Sequence, residues 1–349
     1  MRSNVSLIKE TLVEFMSTVY NLILSIKNTL TKRYYIFFKE LRIFNNKVEN
    51  LLNTNIELGL YHFYKSNISE AKFRFLLINI FFRNLSVLQY NIGRCNFASG
   101  NISKAYDNFL NLLKIDANHE EALYYIKKIK NPSSIDYIPD SIIQQYFDYT
   151  GEYFIEHWLV AKQYRGYEFV YMLIKKFMND RLLQLNILDL GCGTGVCGQF
   201  LKVYGIGNYI VGIDISNRML NIARGCFVNG TLVYNELINI EMKAFLKKDQ
   251  DLRYDVILLI EVLNYVGNFA SILERAGNLL NKNGVIICSV RKKSGVGFEF
   301  VNEGDFFRHS EEYVRSIVLN TNMKISCMSY CKMYGNQVDG ILFVIQLKN

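Results

Sequence analysis

Proline is nearly missing from this chain. Its 349 residues hold two, Pro132 and Pro139, close together. They mark a single break, and long stretches on either side lack this interruption. No run reaches the ~18 consecutive apolar residues of a membrane span. Lys9, Glu10 and Glu14 interrupt the N-terminal apolar residues before a secretory signal core builds. The seven cysteines include no CxxC pair and their number is odd. That excludes a disulfide framework and leaves no reason to expect a metal. Buried free thiols and a cytoplasmic setting are the expectation. Neither sign of charge dominates, since 40 basic residues face 32 acidic ones. The net charge of +8 permits an anionic partner and does not require one. The densest basic-aromatic stretch, Lys32 to Arg42, reads as an amphipathic helix packed on a neighbour.

What is present is material for a core. Half the residues are hydrophobic and 14% are aromatic, so disorder is not expected. The length suggests two domains. Residues 1–130 read as an α-helical domain, with amphipathic helices over roughly 5–30 and 33–52. Within residues 52–119 the chain repeats itself. Gly59 and Gly93, Ala71 and Ala105, and Phe75 and Phe109 are each 34 apart, and Leu58 is matched by Ile92. Glycine and alanine let two helices approach closely, and phenylalanine fills the groove. This order at this period resembles the tetratricopeptide (TPR) repeat. The resemblance implies either a partner-binding groove or a packing module, with Glu120–Lys130 as a capping helix. Residues 131–145, with both prolines, read as a linker.

From residue 146 the pattern changes. Helical segments near 153–178, 195–204, 216–227, 241–248, 269–282 and 309–320 alternate with apolar strands. The strands lie near 187–190, 209–214, 232–239, 255–260, 284–290, 323–333 and 340–348. Alternation of this kind predicts an α/β Rossmann-like domain over 146–349, with a mostly parallel seven-stranded sheet. The last two strands have only a turn-rich connection between them, so they should form an antiparallel C-terminal hairpin.

The first strand opens into a glycine turn, Asp189-Leu-Gly-Cys-Gly-Thr-Gly195. Gly191, Gly193 and Gly195 let a ligand lie against bare backbone. A second acid, Asp214, ends the next strand. Gly193-Thr-Gly-Val-Cys-Gly198 also fits the GxGxxG dinucleotide pattern, but the acid two positions before Gly191 and the terminal hairpin do not suit that fold. Two acids on adjacent strand tips suit a ligand with an ammonium and a ribose diol, which S-adenosylmethionine (SAM) has. In this reading Asp189 holds the ammonium and Asp214 accepts both ribose hydroxyls. Ile215 and Met219 line the adenine. Glu241, with Met242 beside it, meets the adenine amino group or merely favours a helix N-terminus. Cys192 supplies a small side chain. Glu261, Asn264 and Tyr265, after the fourth strand, face cofactor or acceptor.

On these motifs residues 146–349 resemble a class I SAM-dependent methyltransferase. Residues 52–349 are similar to a TPR-linked bacterial group of such enzymes. The matching residues include Phe147 to His157, Tyr164-Arg165, Asp214-Ile-Ser-x-x-Met-Leu220, Tyr234-Asn-Glu-Leu237 and Arg308 to Val314. The resemblance implies SAM binding and methyl transfer, with Tyr164 and Arg165 on a lid over the cofactor. It names no acceptor, and a small molecule or a protein side chain both fit. The group tends to have Asp at Glu261 and an acid at Arg291, and the second departure reverses charge near the acceptor mouth. His309 is the first candidate base because its ordinary pKa is near neutral; Glu261 and Tyr265 follow. No Asn/Asp-Pro-Pro-aromatic stretch follows the fourth strand, and no dense basic groove is present, so nucleic-acid methylation is not expected. The alternative is a TPR scaffold whose SAM-binding domain is not catalytic.

Overall fold

The computed structural model describes residues 51–82, 85–248 and 252–348. The helix expected over 5–30, nearly all of that over 33–52, and the stretch Lys32 to Arg42 lie outside them.

The first described part is helical: α1 (Leu51–Tyr64), α2 (Ile68–Phe81), α3 (Ser86–Ala98), α4 (Ile102–Ile115) and α5 (Glu120–Lys130). The 34-residue periodicity has a direct physical meaning here. Gly59 in α1 faces the Phe75 ring in α2, and a Cβ on it would sit 2.5 Å from a ring carbon. Gly93 in α3 meets Phe109 in α4 in the same way, at 2.7 Å. Glycine in a helix costs about 1 kcal/mol against alanine. The close seating of a buried phenylalanine offsets that cost in each hairpin. Tyr125 of α5 stacks on Phe109 at 4.8 Å and closes this end of the stack.

Helix α6 (Asp140–Thr150) starts inside the stretch read as a linker. Pro139 stands just ahead of it, where a missing N–H is tolerated. The helix is tied to the stack by Arg94, which is 3% exposed. The Arg94 guanidinium donates to Gln145 Oε1 (2.5 Å), to the Tyr64 hydroxyl (2.7 Å) and to Asn91 Oδ1 (3.1 Å). The helix expected over 153–178 is interrupted. A π-helical segment, Ile155–Ala161, and a left-handed Gln163 (φ 52°) precede α7 (Gly166–Met178).

The strands, in chain order, are β1 (Asn186–Leu190), β2 (Tyr209–Asp214), β3 (Phe227–Val228), β4 (Thr231–Leu232), β5 (Glu236–Asn239) and β6 (Tyr254–Leu259). They continue with β7 (Leu280–Lys292), β8 (Phe298–Val301), β9 (Phe306–His309), β10 (Met323–Cys331) and β11 (Gly340–Leu347). The sheet order is β10-β11-β7-β6-β1-β2-β5. Its strands are parallel from β5 to β7, and β11 and β10 run antiparallel. This is a Rossmann-like mixed sheet with the expected terminal hairpin. The remaining helices are α8 (Val196–Val203), α9 (Asn217–Ala223), α10 (Met242–Lys247), α11 (Ala270–Asn278) and α12 (Glu311–Leu319). Both faces are covered. Leu188, Leu190, Val211 and Ile213 pack toward Phe269, Leu273 and Val314, while Ile187, Ile210 and Val256 pack toward Val170, Ile174 and Leu201.

Two details depart from the sequence reading. The third expected strand is shortened to β5, because Thr231–Leu232 folds back on Phe227–Val228. Asn229 and Gly230 both take positive φ there, as a primed hairpin turn requires. The hairpin β8–β9 was not expected, and β9 extends the sheet beside the end of β7. Its turn residue Asp305 accepts from the Tyr124 hydroxyl (2.6 Å) and pairs with Lys128, so the helical stack rests on it.

Candidate functional site

The sheet brings the two acids together at neighbouring strand tips. Asp189, in β1, is 4% exposed. Its Oδ2 accepts from the Tyr234 hydroxyl at 2.8 Å. Asp214, at the end of β2, accepts the Gly193 N–H on Oδ2 (2.9 Å) and the Ser216 N–H on Oδ1 (2.8 Å). Burial pushes both carboxyls up to about 6. For Asp189 the Tyr234 hydrogen bond opposes that rise and the Asp214 charge adds to it. For Asp214 the backbone N–H donors oppose it.

The glycine turn between them is left-handed at Gly191 (φ 78°), Gly193 (φ 55°) and Gly195 (φ 83°). Each glycine has a different reason to be there. The N–H groups of Gly191 and Cys192 both donate to Ile213 O at 2.9 Å, which presses the turn against β2. A Cβ on Gly191 would lie 2.5 Å from Val262. A Cβ on Gly193 would meet no atom within 4 Å, so this residue presents bare backbone to open space. Gly195 and Gly198 instead make room for the Tyr234 ring, which a Cβ on them would approach to 3.1 and 2.6 Å. The last glycine of the GxGxxG string therefore seats the tyrosine that holds Asp189.

A cavity of about 190 Å³ opens over this turn. Asp189, Gly191, Cys192, Gly193, Asp214, Ile215, Met219, Glu241, Met242, Glu261, Tyr265 and Tyr164 all line it. Three candidates do not, and those expectations are corrected. Gly195 supports the turn from behind, beside Tyr234 and Ala223. Arg165 is turned outward and grips Glu168 through Nε and an Nη (2.8 and 2.7 Å). His309 is fully buried behind the wall, at the end of β9. Its Nε2 lies 3.0 Å from both Val266 O and Gly267 O, and Phe269, Phe298 and Tyr313 surround the ring. Burial lowers its pKa to about 4, so the ring is neutral and braces the loop after β6.

The cavity has two distinct ends. At one, Glu241 stands at the N-cap of α10, where the helix dipole favours an acid, but makes no side-chain capping bond. It is hydrogen-bonded to Asp140 of α6 instead. Burial, then that hydrogen bond and the Glu241 charge, push the Asp140 carboxyl up to about 7, with Lys243 opposing. Nothing in the sequence pointed to Asp140, which sat in the presumed linker.

At the other end Glu261 adopts a left-handed backbone (φ 58°), unusual for a side chain of its size. Ser289 holds it there. The Glu261 N–H donates to Ser289 Oγ (2.8 Å), and that hydroxyl donates to Glu261 Oε1 (3.1 Å). Oε2 accepts from the Tyr334 hydroxyl (2.6 Å) and lies 3.6 Å from an Arg291 nitrogen. An aromatic band crosses the cavity from Tyr265 through Phe147, Phe154 and Trp158 to Tyr334, with successive ring centroids 5.2–6.3 Å apart. Phe154, Trp158 and Tyr334 also line the cavity without having been singled out in the sequence, although Phe154 and Trp158 fall within residues 147–165, where the resemblance implies a lid or first helix.

Residues 183–338 match a family model described as a methyltransferase domain. A 131-residue stretch is 28% identical to the ubiquinone biosynthesis O-methyltransferase of Glaesserella parasuis, covering 36% of this chain and 54% of that protein. A 158-residue stretch is 24% identical to the protein of the same name from Colwellia psychrerythraea, covering 44% and 62%. The chain spans about half the length of the curated relatives it matches. Among solved structures it is similar to magnesium protoporphyrin IX methyltransferase from Synechocystis with bound SAM. That pair is 16% identical, with a TM-score of 0.46, covering 60% of this chain and 98% of that one. Over residues 183–338 the chain therefore resembles a methyltransferase domain, a class that works with SAM.

Proposed function

We propose that this chain is a SAM-dependent methyltransferase whose acceptor is a small molecule or a protein side chain. The observation that carries the reading is the pair of buried acids at adjacent strand tips, flanking bare glycine backbone that faces the cavity. The residues present fit the cofactor. Asp189 offers a desolvated carboxylate oxygen to an ammonium. Asp214 keeps one lone pair on each oxygen for a diol, after its backbone bonds are counted. The open space over Gly193 is what a Cβ would fill. Ile215, Met219 and Met242 give an adenine ring apolar walls, and Glu241 with Asp140 offers both an acceptor and a donor at its polar edge.

When bound, SAM supplies a methyl group on a sulfonium, already activated for displacement. The protein's part is orientation and exclusion of water. Phe147, Phe154 and Trp158, from α6 and the segment after it, wall off the cavity. Proton removal is a smaller matter here. Both Glu261 oxygens are engaged, burial pushes the Tyr265 hydroxyl well above its ordinary pKa, and His309 stands outside. We infer that the acceptor arrives already able to react. The helical hairpins, with their glycine-phenylalanine seating, support the reading as TPR-like units, and we propose that they contact a protein partner.

Calorimetry with S-adenosylhomocysteine (SAH) tests the reading. Binding is expected for the wild type and strong weakening for Asp214→Ala. Full affinity in that variant, or no binding by folded wild type, refutes it.

A further inference from the structure

Arg291 sits on the cavity wall at the Glu261 end. It is held more loosely than a half-buried guanidinium usually is. Its charged neighbour, Glu261, stands 3.6 Å away, beyond hydrogen-bond distance, and has its oxygens occupied by Ser289 and Tyr334. Its Nε is buried with no hydrogen-bond partner. The Cζ of the planar group lies 4.5 Å from the centroid of the Phe306 ring and 5.0 Å from that of Tyr334, contacts that use no donor. A backbone bond from its own N–H to Asn264 Oδ1 (2.9 Å) holds this part of β7 against the loop after β6. A donor buried without a partner is unfavourable unless an acceptor meets the group.

We propose that Arg291 receives the anionic group of the acceptor, and that the acceptor is an organic acid with a flat, aromatic body. Three observations converge on this class. The fixed fork of donors matches a carboxylate in a bidentate way. The aromatic band through Trp158 and Tyr334 gives a planar body stacking surfaces beside the fork. At this end of the cavity both Glu261 oxygens are engaged, which favours an acceptor that is ionised on arrival. This inference rests on the cofactor reading above and adds the chemistry of the second substrate.

The test uses the full chain saturated with SAH and a panel of aromatic carboxylates, benzoate and larger fused-ring analogues, each paired with its neutral amide. Dissociation constants are read by calorimetry for the wild type, Arg291→Met and Arg291→Lys. At least one acid is expected to bind the wild type well above its amide. Arg291→Met should weaken that acid about tenfold or more, the size of a lost charged hydrogen-bond pair, and leave SAH affinity within about twofold. Arg291→Lys should keep part of the affinity, since it retains charge but not the fork. Amides binding as well as acids, an unaffected Arg291→Met, or no acid binding at all would overturn the proposal. A loss of SAH binding in Arg291→Met would assign the arginine to the cofactor carboxylate instead and overturn it too. Failure of the wild type to bind SAH is a separate outcome that sinks the cofactor reading.

Discussion

Asp189→Asn should make the protein more stable while ruining its cofactor site. Asp189 is buried and its carboxyl is raised to about 6 in the folded chain, against about 3.9 when unfolded. A folded pKa above the unfolded one means the native state holds its proton more tightly. The stability tied to this group is therefore full below about pH 4 and lost as pH rises through about 6. A gap of about two units corresponds to roughly 3 kcal/mol at neutral pH. Asparagine removes that penalty and still offers an oxygen to the Tyr234 hydroxyl. With relaxation of the site, a gain of about 1–3 kcal/mol is expected, or about 2–6 °C in Tm at about pH 7.5. At about pH 4 the two proteins should melt together. SAH affinity should fall by about tenfold to a hundredfold at about pH 7.5, from loss of one charged contact. Thermal melts at both pH values, with and without SAH, decide the matter. The reasoning is refuted if the variant melts at or below the wild type near neutral pH, or if its advantage persists in acid.

The glycines of the turn should separate by mechanism. Gly191→Ala combines left-handed strain with a clash on Val262, so a destabilisation of about 2–4 kcal/mol is expected in chemical denaturation. Gly193→Ala carries the strain alone, about 1 kcal/mol, yet its methyl enters the cavity and SAH affinity should drop disproportionately. His309→Ala should cost about 2–4 kcal/mol by leaving a hole among aromatic rings, with SAH affinity unchanged within about twofold. A change in the pH profile of turnover in that variant would restore it as a base.

The expected residues that do line the cavity share one property: their local backbone chemistry is written in neighbouring residues. Asp189 and the alternating glycines announce a strand and a tight turn, and Asp214 follows a run of β-formers. The terminal hairpin was legible because no helix fits between its strands. What escaped was set by long-range packing. His309 looked like a base by its residue type alone, and only the rings of Phe269, Phe298 and Tyr313 decide that it is inert. Asp140 enters the cavity because α6 starts earlier than the prolines suggested. Trp158 reaches it through a π-helical turn that helical periodicity does not reveal. The Asn229-Gly230 turn, by contrast, was a readable signal that the sequence reading passed over.

Helix α6 joins the two halves of the chain. Gln145 is grasped by Arg94 of the helical stack, while Asp148, three residues on, accepts from the Ser216 hydroxyl just past Asp214 (2.6 Å). The cavity borrows a wall from outside the stretch that the family model matches: Asp140, Ile143 and Phe147 all precede residue 183. A domain cut out at the edges of that match would be a vessel without its roof, open to solvent on the side proposed for the adenine.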